Sequence, residues 1–437
     1  MPASLTYKAI FLFFLPLFFM QELHQISHSV IHAFLARLSN PKETLAAFSI
    51  SIAFVHTLSG ISSVSIQAGI CFVKDKATFW HLVQFFSAVA VAVFLTIELF
   101  ALTPLSHMLF GQWMGASVSV VRNAQITSAI MGLWILPILI RNLCYALAMI
   151  HHRTILITYA TIIRLAALGI FLIVYPFWLE GAPVGGAALV SCMTVEAVYM
   201  LIAIRPVFKN LEKDTRTRNS FYDIWNFSWP LMITQGSENG VAFVINLFLG
   251  QLFTPDLALA SFGIVYGLVR VILAPLRNLV QSAQTLVHTI NDLLLMLKFT
   301  SGLLLFFVGT IFVMFHTPMR VWILGGVMGL PLELSLYVTP AVKLIFLTAI
   351  FWGFAALFRG VLAAMQRTNI LAVSAGLRLI VVTIVGSISL ILPHLNGAVV
   401  GILAISGAYI AETMVLGWQI RKQTKGTDSL FVHYMVF

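Results

Sequence analysis

Long apolar segments separated by short polar connections dominate the sequence. A helix needs about 20 predominantly apolar residues to cross the hydrocarbon core of a bilayer. Twelve segments satisfy this requirement, and the pattern therefore predicts twelve membrane-spanning helices. Their approximate bounds are 8–36, 44–72, 79–102, 123–149, 154–177, 184–204, 221–250, 256–287, 293–315, 335–364, 369–392 and 397–420.

The first predicted helix carries polar residues along one face. Gln21, His24, Gln25, His28 and His32 fall within an arc of about 100° when successive residues are 100° apart. The opposite face is apolar. One side of this helix should therefore meet lipid, and the other should meet protein or water. A cavity wall, a proton path, packed histidines and metal ligands are the alternatives for the polar side.

The chain contains an internal repeat with an offset of 214 residues. With this offset, 14 of the 40 positions in 16–55 are identical in 230–269, against roughly three or four expected by chance. Further along, Arg164 aligns with Arg378. A register kept over about 150 residues indicates a duplicated unit. Six spans in each unit give both the same orientation, related by a pseudo-twofold axis along the membrane normal.

The repeat also duplicates the polar stripe. The positions that match it in the seventh helix are Gln235, Glu238, Asn239, Ala242 and Asn246. A stripe that stays polar while its residues change favours the wall of a cavity over a histidine ligand set, and a metal site would also need further ligands. His24 aligns with Glu238, which raises the hypothesis that His24, His28 and Glu238 exchange a coupling proton. A static ion pair is the alternative.

Composition supports an integral membrane protein. The chain is 60% hydrophobic and 9% charged with a net charge of +10, whereas soluble proteins carry about 25% charged residues. Thirteen basic residues on one predicted side against four on the other place both termini in the cytoplasm of a cell (inner or plasma) membrane. The longest charged run divides the chain. We predict lobes 1–205 and 221–425, a cytoplasmic linker 206–220 and a tail 426–437.

Two arginines lie near the predicted bilayer midplane, Arg164 and its repeat partner Arg378. Charges at this depth are costly and are commonly functional or paired. Glu196 and Glu412, in the last helix of each half, are candidate structural partners. Substrate binding by the two arginines is the alternative.

A second pair of arginines, Arg270 and Arg277, shares one face of the eighth predicted helix. The excess of intramembrane arginines over acids favours an anionic substrate, because guanidinium groups match carboxylates and phosphates.

The sequence supports an enzyme or a primary pump less well than a secondary transporter. The sequence has no Walker loop, no metalloprotease box and no nucleophile motif, and only His151-His152 sits at a helix end as a membrane His-box metalloenzyme would require. We therefore expect no enzyme activity, no cofactor and no metal. A non-transporting scaffold is disfavoured by the duplicated polar stripe.

Twelve spans in two parallel halves, with polar first and seventh helices, resemble the multidrug/oligosaccharidyl-lipid/polysaccharide (MOP) exporter superfamily and predict a MATE-like fold. The closer resemblance is to the progressive ankylosis protein branch. It is carried by "FSWPLMITQGSENGVAFVINLFLGQL" (227–252), "LRLIVVTIVGSISLILPHLNGAVVG" (377–401) and "AETMVLGWQIRKQ" (411–423). The superfamily implies a V-shaped transporter with alternating access. The branch implies export of polyvalent anions such as citrate, pyrophosphate or nucleotides, and Arg378 and Glu412 match branch positions.

The sequence departs from the multidrug branch, which usually places an acidic residue shortly before the end of the first helix. Ile31-His32 and Ile245-Asn246 occupy those places here. This departure disfavours a standard sodium- or proton-coupled drug antiporter. A flippase for lipid-linked precursors stays an alternative, as does a multidrug antiporter.

We therefore expect a monomeric secondary transporter with a central basic cavity between the lobes. Its expected partners are a small anion, the lipid bilayer and a coupling proton or sodium ion, without nucleic acid. The candidate cavity residues are Gln21, His24, His28, His32, Gln235, Glu238, Asn239, Asn246, Arg270, Arg277, Arg164 and Arg378.

Overall fold

The computed structural model describes residues 5–38, 40–113, 116–213 and 220–424, and this part of the chain contains helices and no strand. The first half contains α1 (Tyr7–Leu35), α2 (Pro41–Ser59), α3 (Val64–Phe72), α4 (Lys76–Leu102), α5 (Val118–Gly132), α6 (Ile135–Ile150), α7 (Ile155–Val174), α8 (Ala182–Ala203) and α9 (Arg205–Asn210). The second half contains α10 (Phe221–Leu249), α11 (Pro255–Leu273), α12 (Leu279–Leu286), α13 (Ile290–His316), α14 (Met319–Val321), α15 (Leu332–Val342), α16 (Ile345–Ala364), α17 (Thr368–Ile391) and α18 (Gly397–Thr424).

The predicted all-α membrane architecture is confirmed. Eleven stretches of the described residues are long and apolar enough to cross a bilayer. The seventh predicted span is the continuous 29-residue helix α10, and α15 is the short first part of the tenth span. Several predicted single spans are two helices in succession. The eighth is interrupted at Ala274–Asn278, where Pro275 lacks the N–H that a continuous helix needs.

The hydrogen bonds that cap helix N-termini recur with the 214-residue offset. At the start of α4, the Asp75 carboxylate accepts from the Thr78 N–H at 2.7 Å, and the Thr78 hydroxyl accepts from the Asp75 N–H at 3.1 Å. At the start of α13, Thr289 and Asp292 make the same reciprocal pair at 3.1 and 2.9 Å with the two residue types exchanged. Both boxes satisfy backbone donors that a helix start leaves open.

Irregular backbone features recur with the same offset. His152 and Gln366, just after α6 and α16, both adopt a φ of 55°. Each repeat interrupts its second span with a 3₁₀ turn and closes its third span with a π-helical turn. These turns are Gly60–Ser63 and Ala274–Asn278, and His107–Trp113 and Trp322–Val327. The duplication read from residue identities is therefore also a duplication of backbone geometry.

The chain forms two compact units. The first unit is Leu15–Ser228, and the second unit is Met1–Phe14 together with Trp229–Phe437. The unit boundaries lie within two residues of Pro16 and Pro230, which are repeat partners inside α1 and α10. The lobe and linker bounds predicted from the sequence stay a prediction, and the predicted tail 426–437 lies outside the described residues.

The last helix of each repeat is the packing centre of its unit. In the first unit α8 packs against α5, α6 and α7, and in the second unit α18 packs against α11, α16 and α17. A Cβ on Gly401 of α18 would overlap the ring of Phe262, so only glycine permits this approach. Glu196 in the middle of α8 and Glu412 in the middle of α18 are fully buried in this packing.

Candidate functional site

A buried cluster of charged side chains surrounds Glu196 of α8 in the first unit. Its carboxylate is fully buried and accepts from the Tyr145 hydroxyl at 2.6 Å and from Arg141 at 3.1 Å. Arg164 of α7 lies 3.7 Å from the same carboxylate. Arg141, Tyr145, Arg164 and Glu196 are hereafter the first cluster. Its members come from α6, α7 and α8, so helix packing sets their geometry.

The first cluster extends to the polar stripe of α1. The Arg164 guanidinium lies 2.7 Å from Nδ1 of His24 and donates to the Ser27 hydroxyl at 3.1 Å. Arg164 is about 1% exposed, so these contacts are made away from water. A predicted stripe residue and a predicted midplane arginine thus form one network.

Three imidazoles form a row beside this network. The ring centroids of His24 and His28 lie 5.0 Å apart, and those of His28 and His56 lie 5.5 Å apart. The ring of Trp134, just before α6, lies 4.7 Å from that of His56. His32 is not part of this row, because its ring packs against Phe48 at 5.3 Å.

A corresponding buried cluster occupies the second unit. Glu412 of α18 accepts from Nε and Nη2 of Arg359 at 2.8 and 2.6 Å, a bidentate pair, and lies 3.5 Å from Arg378. Glu238 of α10 pairs with Arg359, with Arg378 at 3.4 Å and with Arg277 at 3.8 Å. Glu238, Arg277, Arg359, Arg378 and Glu412 are hereafter the second cluster.

Aromatic rings cover one side of the second cluster. The guanidinium carbons of Arg359 and Arg378 each lie 5.8 Å from the ring centre of Tyr409. Trp352 stacks on Tyr409 at 5.4 Å, and Arg277 lies over Trp352 at 5.6 Å. Such contacts favour cations, so they stabilise positive charge that the carboxylates do not balance.

Each cluster contains one more arginine than glutamate. Two arginines face one carboxylate in the first cluster, and three face two in the second. The arginines differ in access to solvent. The side chains of Arg277 and Arg141 are 32% and 14% exposed, whereas that of Arg378 is fully buried. The surplus charge can therefore be reached from outside at Arg277 and Arg141.

The other predicted cavity residues differ in exposure. Gln21 and Gln235 are half-buried, whereas Asn246 and Arg270 are exposed. Arg270 lies over the ring of Tyr266 at 5.8 Å. The side chain of Asn239 lies outside the described side chains.

Several residues of the site received no role from the sequence, among them Arg141, Arg359, Tyr145 and His56. Arg359 and Tyr145 are repeat partners of different type, yet each is a close partner of the last-helix glutamate in its unit. A comparison of residue identities between the two repeats does not reveal this shared role, because the two positions align but carry different residue types. His56 lies on α2, outside the stripe that drew attention to α1.

The described residues contain no group of three or more His, Cys, Asp or Glu side chains that could hold a metal ion. The clusters are instead built from arginine donors and carboxylate acceptors. Such an arrangement binds charge and hydrogen-bond acceptors, and it contains no activated nucleophile.

Comparison with known proteins identifies the fold. No family model and no curated protein match the sequence. Solved structures match over 95% of the chain. They include a eukaryotic MATE transporter, AtDTX14 (TM-score 0.76, 12% identity, 95% of that chain). A MOP superfamily transporter from Pyrococcus furiosus (0.69, 13%, 95%) and a MATE transporter from Vibrio cholerae (0.71, 16%, 97%) also match. At these identities the likeness shows that the chain has a MATE-like fold.

Proposed function

We propose that this chain is a secondary transporter of the MOP superfamily that exports small multivalent anions by alternating access. The observation that carries the proposal is the surplus arginine in each buried cluster. An uncompensated positive charge inside a membrane protein is costly. A bound anion supplies the missing negative charge. Citrate, pyrophosphate and nucleotides are representative substrates of this class.

Unsatisfied donors support the same proposal. Nε of Arg141, Arg164 and Arg378 is buried without a hydrogen-bond partner among the described residues, and so is Nε1 of Trp352. A buried donor without a partner costs free energy, on the order of 1–3 kcal/mol. Ionised carboxylates and phosphates only accept hydrogen bonds, so they suit a site with surplus donors.

Arg277 is the arginine we assign to first contact with the substrate. Its carboxylate partner, Glu238 at 3.8 Å, is already paired with Arg359 and Arg378. The Arg277 guanidinium is also the most exposed of the second cluster. In the first unit, Arg141 is likewise the more exposed arginine of its cluster. We assign the buried Arg164 and Arg378 to charge compensation within each unit.

Extrusion of organic cations is the second candidate function. One matching solved structure is described as a multidrug resistance MATE family transporter. A cation bound at either cluster would need a free carboxylate there, whereas Glu196, Glu238 and Glu412 are engaged by arginines. The Pyrococcus furiosus structure is described as having a binding pocket of reverse polarity that suggests a different function. That description supports the view that proteins with this fold can have binding pockets of different charge. A lipid-linked anion would use the same arginine chemistry.

Uptake into proteoliposomes tests the proposal. Radiolabelled citrate, pyrophosphate and ATP should enter saturably. Arg277→Gln should reduce uptake about 10- to 100-fold, because a hydrogen bond to a charged group contributes roughly 1.5–3 kcal/mol. Arg421→Gln, at the exposed end of α18, is the matched control and should retain wild-type uptake. Folded protein that moves no anion, but moves a cationic dye or flips a fluorescent lipid phosphate, would exclude the proposal.

We also propose that both termini lie in the cytoplasm, from the asymmetry of basic residues, and that the protein works as a monomer. Single cysteines introduced at Lys8 and Lys422 should react with an impermeant maleimide only in inside-out vesicles. Labelling in intact cells would reverse the orientation.

A further inference from the structure

The contact between Arg164 and His24 fixes the protonation state of the imidazole. Nη1 of Arg164 lies 2.7 Å from Nδ1 of His24. A guanidinium group only donates hydrogen bonds, so Nδ1 must accept. His24 is therefore neutral in this structure and carries its proton on Nε2. A proton on Nδ1 would place two donors against each other, and the doubly protonated ring would also place two positive charges together.

An alternative position for Arg164 lies nearby. Its guanidinium is 3.7 Å from the Glu196 carboxylate, a distance that a small side-chain shift would close. It also donates to Ser27 at 3.1 Å, a bond that such a shift would weaken. Protonation of His24 would thus exchange one contact of Arg164 for another within the same unit.

The charged and titratable groups around His24 determine how favourable protonation of its imidazole is. His28 lies beside it on α1, His56 is next in the row on α2, Arg141 lies on α6 and Arg164 on α7. All of these are positive or can become positive. Glu196 on α8 is the opposing carboxylate, and it is shared by both arginines. An anion bound at the first cluster would reduce this repulsion, so anion and proton would favour each other's binding.

The second repeat provides an internal comparison. Glu238 takes the place of His24 there, and Arg378 takes the place of Arg164. Arg378 and Glu238 form an ion pair at 3.4 Å that needs no added proton. The duplicated position therefore carries a side chain that can change between a neutral and a cationic form in the first repeat only, because an imidazole gains positive charge with a proton whereas a carboxylate loses its negative charge.

We propose that His24 is a proton-binding site coupled to anion binding through Arg164. Uptake of one proton at Nδ1 of His24 forms one N–H bond, breaks the hydrogen bond from Arg164 and turns that guanidinium towards Glu196. The proton comes from water, and no other reactant is needed. This inference rests on the proposed anion transport for its physiological role, and it makes the coupled ion a proton.

Histidine NMR tests the protonation step without substrate. Protein labelled with ¹⁵N-histidine in nanodiscs is titrated between pH 8.5 and 5, and the His24 signal is assigned by its loss in His24→Gln. The expected signal is the Nε2–H tautomer at high pH and the imidazolium at low pH. An Nδ1–H tautomer at high pH, or a neutral ring throughout, would overturn the proposal.

Proton uptake on anion binding tests the coupling. Pyrophosphate is added to protein in weakly buffered detergent solution containing a pH dye. The wild type should take up about one more proton per molecule than His24→Gln, which keeps an acceptor for Arg164 and reports the proton exchange of pyrophosphate itself. His107→Gln, at an exposed histidine outside both clusters, is the matched control and should behave as the wild type. Full uptake in folded His24→Gln would refute the coupling.

The two tests separate this inference from the proposed function. If pyrophosphate, citrate and ATP all fail to bind, the anion proposal and the coupling both fail, while the NMR titration still decides whether His24 binds a proton at Nδ1. If pyrophosphate binds with the same proton uptake in the wild type and in His24→Gln, the anion proposal stands and the coupling fails.

Discussion

The bidentate pair between Arg359 and Glu412 gives the most quantitative prediction. Glu412→Gln keeps the size of the side chain but removes the negative charge that Arg359 and Arg378 share at 2.6 and 3.5 Å. Three arginines of the second cluster then face Glu238 alone. All of these groups except Arg277 are enclosed by protein, so water cannot replace the lost carboxylate.

Removal of one partner from a buried ion pair costs about 3–5 kcal/mol. In a unit of roughly 200 residues, each kcal/mol shifts the melting temperature by about 2–4 °C. Glu412→Gln should therefore lower the melting temperature by roughly 6–20 °C. The matched control is Glu333→Gln, an exposed glutamate in the first turn of α15, where a change below about 1 kcal/mol is expected.

The assay is thermal unfolding in detergent, followed by intrinsic fluorescence and by the loss of monodisperse protein. Both variants and the wild type are measured at the same protein and detergent concentrations. A Glu412→Gln protein that melts within about 2 °C of the wild type, like Glu333→Gln, would refute the view that Glu412 neutralises buried arginines.

Four further substitutions, with Gly302→Ala as a control, test the packing, the capping and the first cluster. Gly360→Ala places a methyl group against the backbone of α12 and should destabilise by about 1–3 kcal/mol, whereas Gly302→Ala meets open space and should be neutral or slightly stabilising in the same melting assay. Asp75→Ala and Thr289→Ala remove equivalent caps and should each cost about 0.5–2 kcal/mol, and unequal effects beyond that range would contradict equivalent roles. Tyr145→Phe removes a 2.6 Å hydrogen bond to a buried carboxylate and should cost about 1.5–3 kcal/mol, so an unchanged denaturation midpoint would exclude that bond.

Hydropathy and the repeat predict most of the fold because both depend on local sequence. Apolar length determines which segments can span a bilayer, and residues such as Thr103 and Thr317 keep the register between halves. The interruptions are harder to predict. Pro275 predicts one of these helix interruptions, whereas the break between α5 and α6 at Leu133-Trp134 has no proline or glycine at its centre.

The partners of the buried charges could be predicted only in part. The position of Arg164 and Arg378 along their helices places them at the level of glutamates in the last spans. This reasoning uses only the coordinate along the membrane normal. The side chain that holds each glutamate most closely depends on rotation and packing of neighbouring helices. Tyr145 fills this place in the first unit and Arg359 in the second, and their spacing alone does not reveal it.

The same limit applies to the histidines. Helical periodicity correctly groups His24, His28 and His32 on one face of α1, but it cannot tell that His32 packs on Phe48 while His56 of α2 joins the other two. Contacts between helices that are distant in sequence require three-dimensional packing.

The most direct test of the central claim is a counterflow experiment in sealed proteoliposomes. Vesicles preloaded with unlabelled pyrophosphate receive a trace of labelled pyrophosphate outside, and parallel vesicles receive a cationic dye under the same conditions. The account predicts transient accumulation of the labelled anion, inhibited by citrate and ATP, and no accumulation of the dye. Dye accumulation without anion counterflow by the folded protein would contradict the account and favour extrusion of organic cations.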